Sequence, residues 1–145
     1  MREISSPELD AAIEGFVVSK SSEEELLTRV LRSISKYVRI YEDGEVEIVD
    51  ASLSVKGKVF LIVAARYLAD RVNRIKGEEI VKNVSPETSV DYIARIVGKP
   101  RNYVSARLSD LEREGCISKV SRGVYTVASL NKLFECLRKL FKEAE

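Results

Sequence analysis

The sequence contains no His and no Trp, and only one Met and two Cys, in 145 residues. Without His, no imidazole can serve as an acid, a base or a metal ligand near neutral pH, and a Ser-His-Asp triad is excluded. Cys116 and Cys136 form no CxxC pair, and two cysteines are too few for a zinc cage or a disulfide framework. We therefore predict no metal site, and we expect both cysteines to be small buried hydrophobic residues.

The sequence also lacks long apolar runs and the glycine-rich patterns of nucleotide-binding or hydrolase sites. It has no GxGxxG, GxxxxGK[ST] or GxSxG motif. The longest apolar run, residues 59–65, is far shorter than the ~20 residues that cross a bilayer. Residues 1–4 do not have the pattern of a signal peptide. We therefore expect a cytoplasmic protein that needs no cofactor and is not an enzyme, and the high charge with few thermolabile residues indicates a thermophile.

The charge of the chain is nearly balanced overall but unevenly distributed. There are 24 Lys and Arg against 23 Asp and Glu, a formal net charge of +1. Residues 1–55 hold 6 Lys and Arg against 12 Asp and Glu, a net charge of −6, whereas residues 56–125 hold 14 against 8, a net charge of +6. Such an asymmetry indicates an anionic partner for the basic part of the chain.

Residues 1–56 are predicted to form an acidic module of two helices and a β-hairpin. Apolar residues recur at helical spacing in its first part, where Ser6-Pro7 is typical of a helix start. A second helix is predicted to begin with a capping box formed by Ser22 and Glu25. The role of this module stays open between effector binding, a dimer core and electrostatic repulsion of DNA.

The hairpin of this module is predicted from the dipeptide Asp43-Gly44, which separates two segments of alternating apolar and polar residues. Its polar positions include Glu42, Glu45 and Glu47. An enzymatic role would rest on carboxylates such as Glu42, Asp43 or Glu45, and a hairpin turn accounts for them more simply.

The second predicted domain, residues 57–127, opens with a mostly apolar helix that should be central to the core. Thr88 and Asp91 then have the spacing of a cap for a short helix that ends near Gly98. The next helix is predicted to begin at Pro100. Two helices joined by a short glycine-containing turn are typical of a helix-turn-helix, and a β-hairpin with a basic tip is predicted to follow.

A spaced set of small and apolar residues runs through the helix-turn-helix and this second hairpin. The set consists of Tyr92, Ile93, Ala94, Val97, Gly98, Val104, Leu108, Leu111, Gly115, Ile117, Gly123 and Tyr125. With this pattern, residues 58–127 resemble a winged helix-turn-helix domain of bacterial and archaeal transcription regulators. The resemblance implies an α+β, mainly α fold and binding of double-stranded DNA, although winged helices also serve as protein-interaction modules.

The second helix of a helix-turn-helix presents its N-terminal half to the major groove. On the wing, Arg122 could reach either phosphate or the minor groove. Residues 95–108 contain four cations and no carboxylate, which favours contact with DNA over a solvated surface of mixed charge. The predicted DNA-binding residues are Arg95, Lys99, Arg101, Asn102, Tyr103, Ser105, Arg107, Lys119 and Arg122. Among them we expect Arg101, Asn102, Tyr103 and Arg107 to read base edges.

Residues 128–145 are predicted to form a C-terminal amphipathic helix. Its apolar stripe consists of Leu130, Leu133, Phe134, Leu137, Leu140 and Phe141. The stripe could close the core of its own domain or pair with a second copy, and we favour a dimerisation helix because the patch is large for one small domain. A two-fold dimer would also place two recognition helices on one face of a duplex.

The sequence therefore predicts a homodimeric transcription regulator that binds duplex DNA through a winged helix. The alternative is a winged-helix module that binds another protein within a larger nucleic-acid or division complex, with the acidic N-terminal module as a second contact. Neither the operator sequence nor an effector can be inferred from the residues.

Overall fold

The computed structural model describes residues 6–17 and 19–141, with the backbone alone at residues 20 and 21. The prediction about a signal peptide concerns residues 1–4, which lie outside these ranges. The last four residues of the predicted C-terminal helix also lie outside them. The fold is α+β and mainly helical, as the sequence predicts. Its elements are α1 (Pro7–Phe16), α2 (Lys20–Ile34), β1 (Val38–Ile40), β2 (Val46–Ile48), α3 (Val55–Lys76), β3 (Thr88–Ser89), α4 (Val90–Val97), α5 (Arg101–Arg113), β4 (Ser118–Ser121), β5 (Val124–Thr126) and α6 (Leu130–Phe141).

Helix α3 forms the centre of the molecule, because its apolar residues point to nearly all sides. Residues 59–65 are all buried, and the helix ends at Gly77 in the left-handed conformation. Side chains from α2, both hairpins, α4, α5 and α6 join α3 in one hydrophobic cluster. The core is therefore continuous across the segment boundaries that the sequence predicted at 56/57 and 127/128.

Two small antiparallel sheets lie against this helical core. Strands β1 and β2 form the predicted hairpin, with Val38 opposite Ile48. In the second sheet the strand order is β3-β5-β4, so β5 lies between the strand before α4 and the strand after α5. At the first hairpin turn, Gly44 lies close to residues 78–87, which connect α3 to β3. A Cβ on Gly44 would be 2.3 Å from the carbonyl oxygen of Lys82, so only glycine allows this close approach.

Two predicted N-caps are wrong, that of α2 by three residues and that of α4 by one residue. Helix α2 is capped by Ser19, whose Oγ accepts a hydrogen bond from the N–H of Ser22 at 3.2 Å, so Ser22 is a donor inside the helix. Helix α4 is capped by Ser89, because Thr88 belongs to strand β3, where its side chain is buried. In both cases a neighbouring serine has the extended backbone that an N-cap requires.

The prediction for the cysteines is half wrong. Cys116 and Cys136 are buried as expected, but they form a disulfide across 20 residues of chain. Cys116 precedes β4 and Cys136 lies on α6, so the bond connects the second hairpin to the last helix. The sequence spacing could not show this, because the pairing depends on how α6 returns to the core.

Removing this bond is expected to destabilise the fold. In the loop-entropy description, a closed loop of this length contributes about 3 kcal/mol to the free energy of unfolding. We expect the Cys116→Ala/Cys136→Ala variant to lose that amount in urea unfolding. Reduction of the wild type with dithiothreitol should produce the same shift and should leave the variant unchanged. A reducing agent that shifts both proteins equally would contradict the assignment of the bond.

The prediction that the apolar stripe of α6 faces a second copy is wrong for its main residues. Leu130, Leu133 and Leu137 are buried in the core of their own chain. Phe141 stacks on Tyr37, with 4.7 Å between ring centroids. The remaining members, Phe134 and Leu140, are half-buried against the same cluster. Helix α6 therefore closes the monomer core, because α2 and α3 leave an apolar surface that the stripe covers.

Candidate nucleic-acid interface

The turn between α4 and α5 orients α5 on the surface. Gly98 takes a φ of 69° and its N–H donates to the carbonyl of Ala94 at 2.9 Å, which ends α4. Pro100 is the N-cap of α5, so the helix begins at Arg101, one residue later than predicted. Helix α5 then buries its residues Val104, Leu108 and Leu111 in the core, so its opposite side faces solvent.

The outward side of the N-terminal half of α5 combines an aromatic ring with polar and cationic side chains. Asn102, Tyr103 and Ala106 are exposed there. Two cations lie over the Tyr103 ring, with Lys99 Nζ 5.9 Å and the Arg107 guanidinium 5.0 Å from its centroid. Ser105 is half-buried at the edge of this side. The predicted residues of α5 are therefore brought together on one surface.

The tip of the second hairpin adjoins this surface. The carbonyl of Gly123 accepts a hydrogen bond from the N–H of Val90 at 2.9 Å, which fixes the tip against the start of α4. The Arg101 guanidinium lies beside Gly123, because a Cβ added to this glycine would be 3.2 Å from Arg101 Nη2. Lys119 and Arg122 on the hairpin are exposed. The start of α5 and the hairpin tip consequently form one continuous surface, which we call the α5–hairpin surface.

The expected separation of cations from carboxylates is wrong in three dimensions. Arg95 Nη1 lies 3.1 Å from Glu45 Oε2 of the first hairpin, and Arg107 Nε lies 3.0 Å from Asp110 Oδ2. Arg101 forms an ion pair with Asp91. The partners of Arg95 and Arg101 come from other elements of the fold, so the sequence window of residues 95–108 could not reveal them.

These ion pairs divide the predicted cations into two groups. The hydrogen bond that Arg95 donates to Glu45 raises the pKa of the Arg95 guanidinium above its usual value, so Arg95 stays charged, and the Glu45 carboxylate compensates that charge. Within residues 6–17 and 19–141, no carboxylate lies within ion-pair distance of Lys99, Lys119 or Arg122. The uncompensated positive charge of the α5–hairpin surface therefore lies at the turn before α5 and on the hairpin.

Sequence reasoning missed the residues that place the acidic hairpin beside α4. The Tyr92 hydroxyl accepts a hydrogen bond from the N–H of Val46 at 3.1 Å. The guanidiniums of Arg66 and Arg95 lie over the Tyr92 ring, 4.9 and 5.0 Å from its centroid. Tyr92 is part of the winged-helix pattern, but nothing in that pattern indicates a contact with the N-terminal module. This arrangement brings Glu45 to the edge of the candidate interface.

In the part of the chain that the structure describes, no group of three or more His, Cys, Asp or Glu is placed to hold a metal ion. Over the same residues, no helix combines the length and apolarity that a membrane crossing requires. Comparison of the chain with protein-family models, curated proteins and solved structures finds no match. Functional inference therefore depends on the surface itself.

Proposed function

We propose that this protein binds double-stranded DNA, with α5 in the major groove and the β4–β5 hairpin on the adjacent phosphate backbone. The observation that carries the proposal is the α5–hairpin surface, where exposed polar and aromatic side chains adjoin cations that have no carboxylate partner among the described residues. Lys99, Lys119 and Arg122 would neutralise phosphates on either side of the inserted helix. The protein would act as a transcription regulator or an architectural DNA-binding protein, without covalent chemistry.

The order of the elements supports this proposal. Helix α3 is followed by β3, α4, α5, β4 and β5, and β5 lies in the middle of the three-stranded sheet. This is the topology expected if residues 58–127 form a winged helix, with α5 as the recognition helix and β4–β5 as the wing. In that family the recognition helix enters the major groove with its N-terminal residues foremost.

The exposed residues of α5 are suited to direct readout of bases. The amide of Asn102 has the donor and acceptor that match N7 and N6 of adenine in the major groove. Ala106, one turn further along the same side, leaves space for the helix to approach and can contact a thymine methyl group. Arg101 and Arg107 are bound by carboxylates in the free protein, so they would contribute only after exchanging those partners for DNA.

The ion pair of Arg101 with Asp91 gives the proposal a sharp test. Both side chains are more than half exposed, at 56% and 77%, so phosphate can reach the guanidinium only in competition with Asp91. Asp91→Asn should release Arg101 and raise the affinity for a duplex about three- to five-fold at ~50 mM salt, since exposed pairs are worth up to about 1 kcal/mol. Fluorescence anisotropy with a labelled duplex of mixed sequence measures this change.

The matched control is Asp70→Asn, which also releases an arginine from an ion pair. Asp70 Oδ2 lies 2.8 Å from Arg74 Nε on α3, so the variant has the same net charge as Asp91→Asn. We expect its affinity for DNA to stay within two-fold of the wild type. Equal affinities of Asp91→Asn, Asp70→Asn and the wild type would contradict the placement of Arg101 at the DNA.

A second candidate function is binding of another protein through the same surface. It is favoured by the ion pairs that neutralise Arg95, Arg101 and Arg107, and by two exposed hydrophobic side chains in this region. Tyr103 is 41% exposed and Val120 is 45% exposed. This function predicts one stoichiometric protein partner in co-purification, with no affinity for duplexes, and that outcome would replace the DNA proposal.

A further inference from the structure

Helix α1 has an apolar face that the described residues of its own chain do not cover. None of its residues is buried. Leu9, Ile13 and Phe16 recur at helical spacing on one side, and Phe16 is 86% exposed. Single exposed hydrophobic residues are ordinary, but a whole helix whose apolar stripe is in water indicates a missing partner surface.

An apolar groove elsewhere on the same chain is a suitable partner surface. It encloses about 210 Å³ between α2, β1, α3 and the start of the 78–87 segment. Its lining is almost entirely apolar and includes Leu31, Ile34, Val38 and Val72. A second depression shares Leu31 and Val72 with it and continues along α2 and α3. Together they form one trough, which we call the α2–α3 groove.

The short connection between α1 and α2 restricts what α1 can cover in its own chain. Only residues 17–19 separate the two helices. In a helical hairpin with this connection, Phe16 would lie beside residue 20 of α2, and Leu9 would lie about 10 Å further along. That position is level with residue 27, so the part of the groove lined by Ile34 and Val38 would stay open. A second copy of the chain does not have this restriction.

The charges of the two surfaces are complementary. Within Pro7–Phe16 the charged residues are Glu8, Asp10 and Glu14, so the helix is purely acidic. The charged residues that line the groove are Arg39, Lys76 and Glu24, a net positive set. Carboxylates that flank an apolar stripe on α1 would therefore meet cations at the edge of the groove.

We propose that the protein is a homodimer in which α1 of each copy lies in the α2–α3 groove of the other. The contact is reciprocal, since each chain supplies one helix and one groove, and this is the condition for a closed two-fold dimer. The inference does not depend on DNA binding. It replaces α6, which is occupied in its own core, with a pair of surfaces that the structure leaves open.

Sedimentation velocity of the full chain tests the proposal with a matched pair of variants. Ile13→Asp places a carboxylate in the apolar stripe, whereas Ala11→Asp places the same group on the opposite side of α1. Both positions are exposed, so neither variant should unfold the protein. We expect a dimer for the wild type and for Ala11→Asp, and a dimer dissociation constant at least 100-fold higher for Ile13→Asp. A monomeric wild type, or equal effects of the two variants, would overturn the proposal.

Photo-crosslinking identifies the occupant of the groove. With p-benzoylphenylalanine at position 16, irradiation should give a dimer-sized product whose crosslinked peptides contain groove residues such as Leu31 or Val72. The same group at position 14, on the acidic side of α1, should give no such product. Crosslinks that form within one chain would overturn the assignment of a second copy as the occupant. Crosslinks between copies that do not involve groove residues would overturn it as well.

Discussion

Replacing Lys99, Lys119 and Arg122 together by glutamine is expected to lower the affinity for duplex DNA about 100-fold at ~50 mM salt. These are the cations of the α5–hairpin surface that have no carboxylate partner among the described residues. Each would neutralise one phosphate, and a charge-assisted contact is worth about 1 kcal/mol or more. Because three fewer counterions would be released, the slope of log affinity against log salt should also become less steep by about 3.

The control for this triple variant is the replacement of three exposed cations on other elements. Arg32 on α2, Arg74 on α3 and Lys139 on α6 give the same change in net charge when all are converted to glutamine. Anisotropy titrations should show less than a three-fold loss for the control. Equal losses in the two triple variants would mean that only net charge matters, and this would contradict a defined interface.

The Leu133→Ala variant is expected to lose about 2–5 kcal/mol of the free energy of unfolding. Leu133 is fully buried on α6, so truncation removes apolar burial and leaves a cavity beneath the helix. Lys139→Ala on the same helix removes an exposed side chain and should change the stability by less than about 0.5 kcal/mol. Urea unfolding followed by circular dichroism measures both effects.

Protein concentration distinguishes a core contact from a contact between copies. If α6 closes its own chain, the loss caused by Leu133→Ala should be the same at two protein concentrations in the Ile13→Asp background, where the proposed dimer is removed. If α6 instead paired with a second copy, Leu133→Ala would dissociate that dimer, and its cost would depend on concentration. The latter result would contradict the packing of α6 described above.

Much of the architecture could be predicted because its signals are local. The turn at Asp43-Gly44 and the end of α4 at Gly98 each depend on a glycine with positive φ next to a change in apolar periodicity. Val104, Leu108 and Leu111 of α5 recur at helical spacing in the sequence, and the structure buries these three residues in the core. In these places the chain within about ten residues determines the structure.

The errors concern contacts between distant residues. The period of α6 shows that one side is buried, but it does not show whether the covering surface belongs to the same chain. The disulfide from Cys116 to Cys136 depends on that same return of α6 to the core. The pairing of Arg95 with Glu45 joins residues fifty positions apart, so a count of charge along the sequence overestimates the free positive charge at the candidate interface.

The affinity of the wild type for a duplex, measured against salt concentration, tests the central proposal most directly. Contact with about six phosphates predicts a straight line of log affinity against log salt with a slope of roughly −5. This slope should appear in anisotropy titrations between ~50 and ~200 mM salt. No measurable binding at ~50 mM salt, or an affinity that does not change with salt, would contradict DNA binding by this surface.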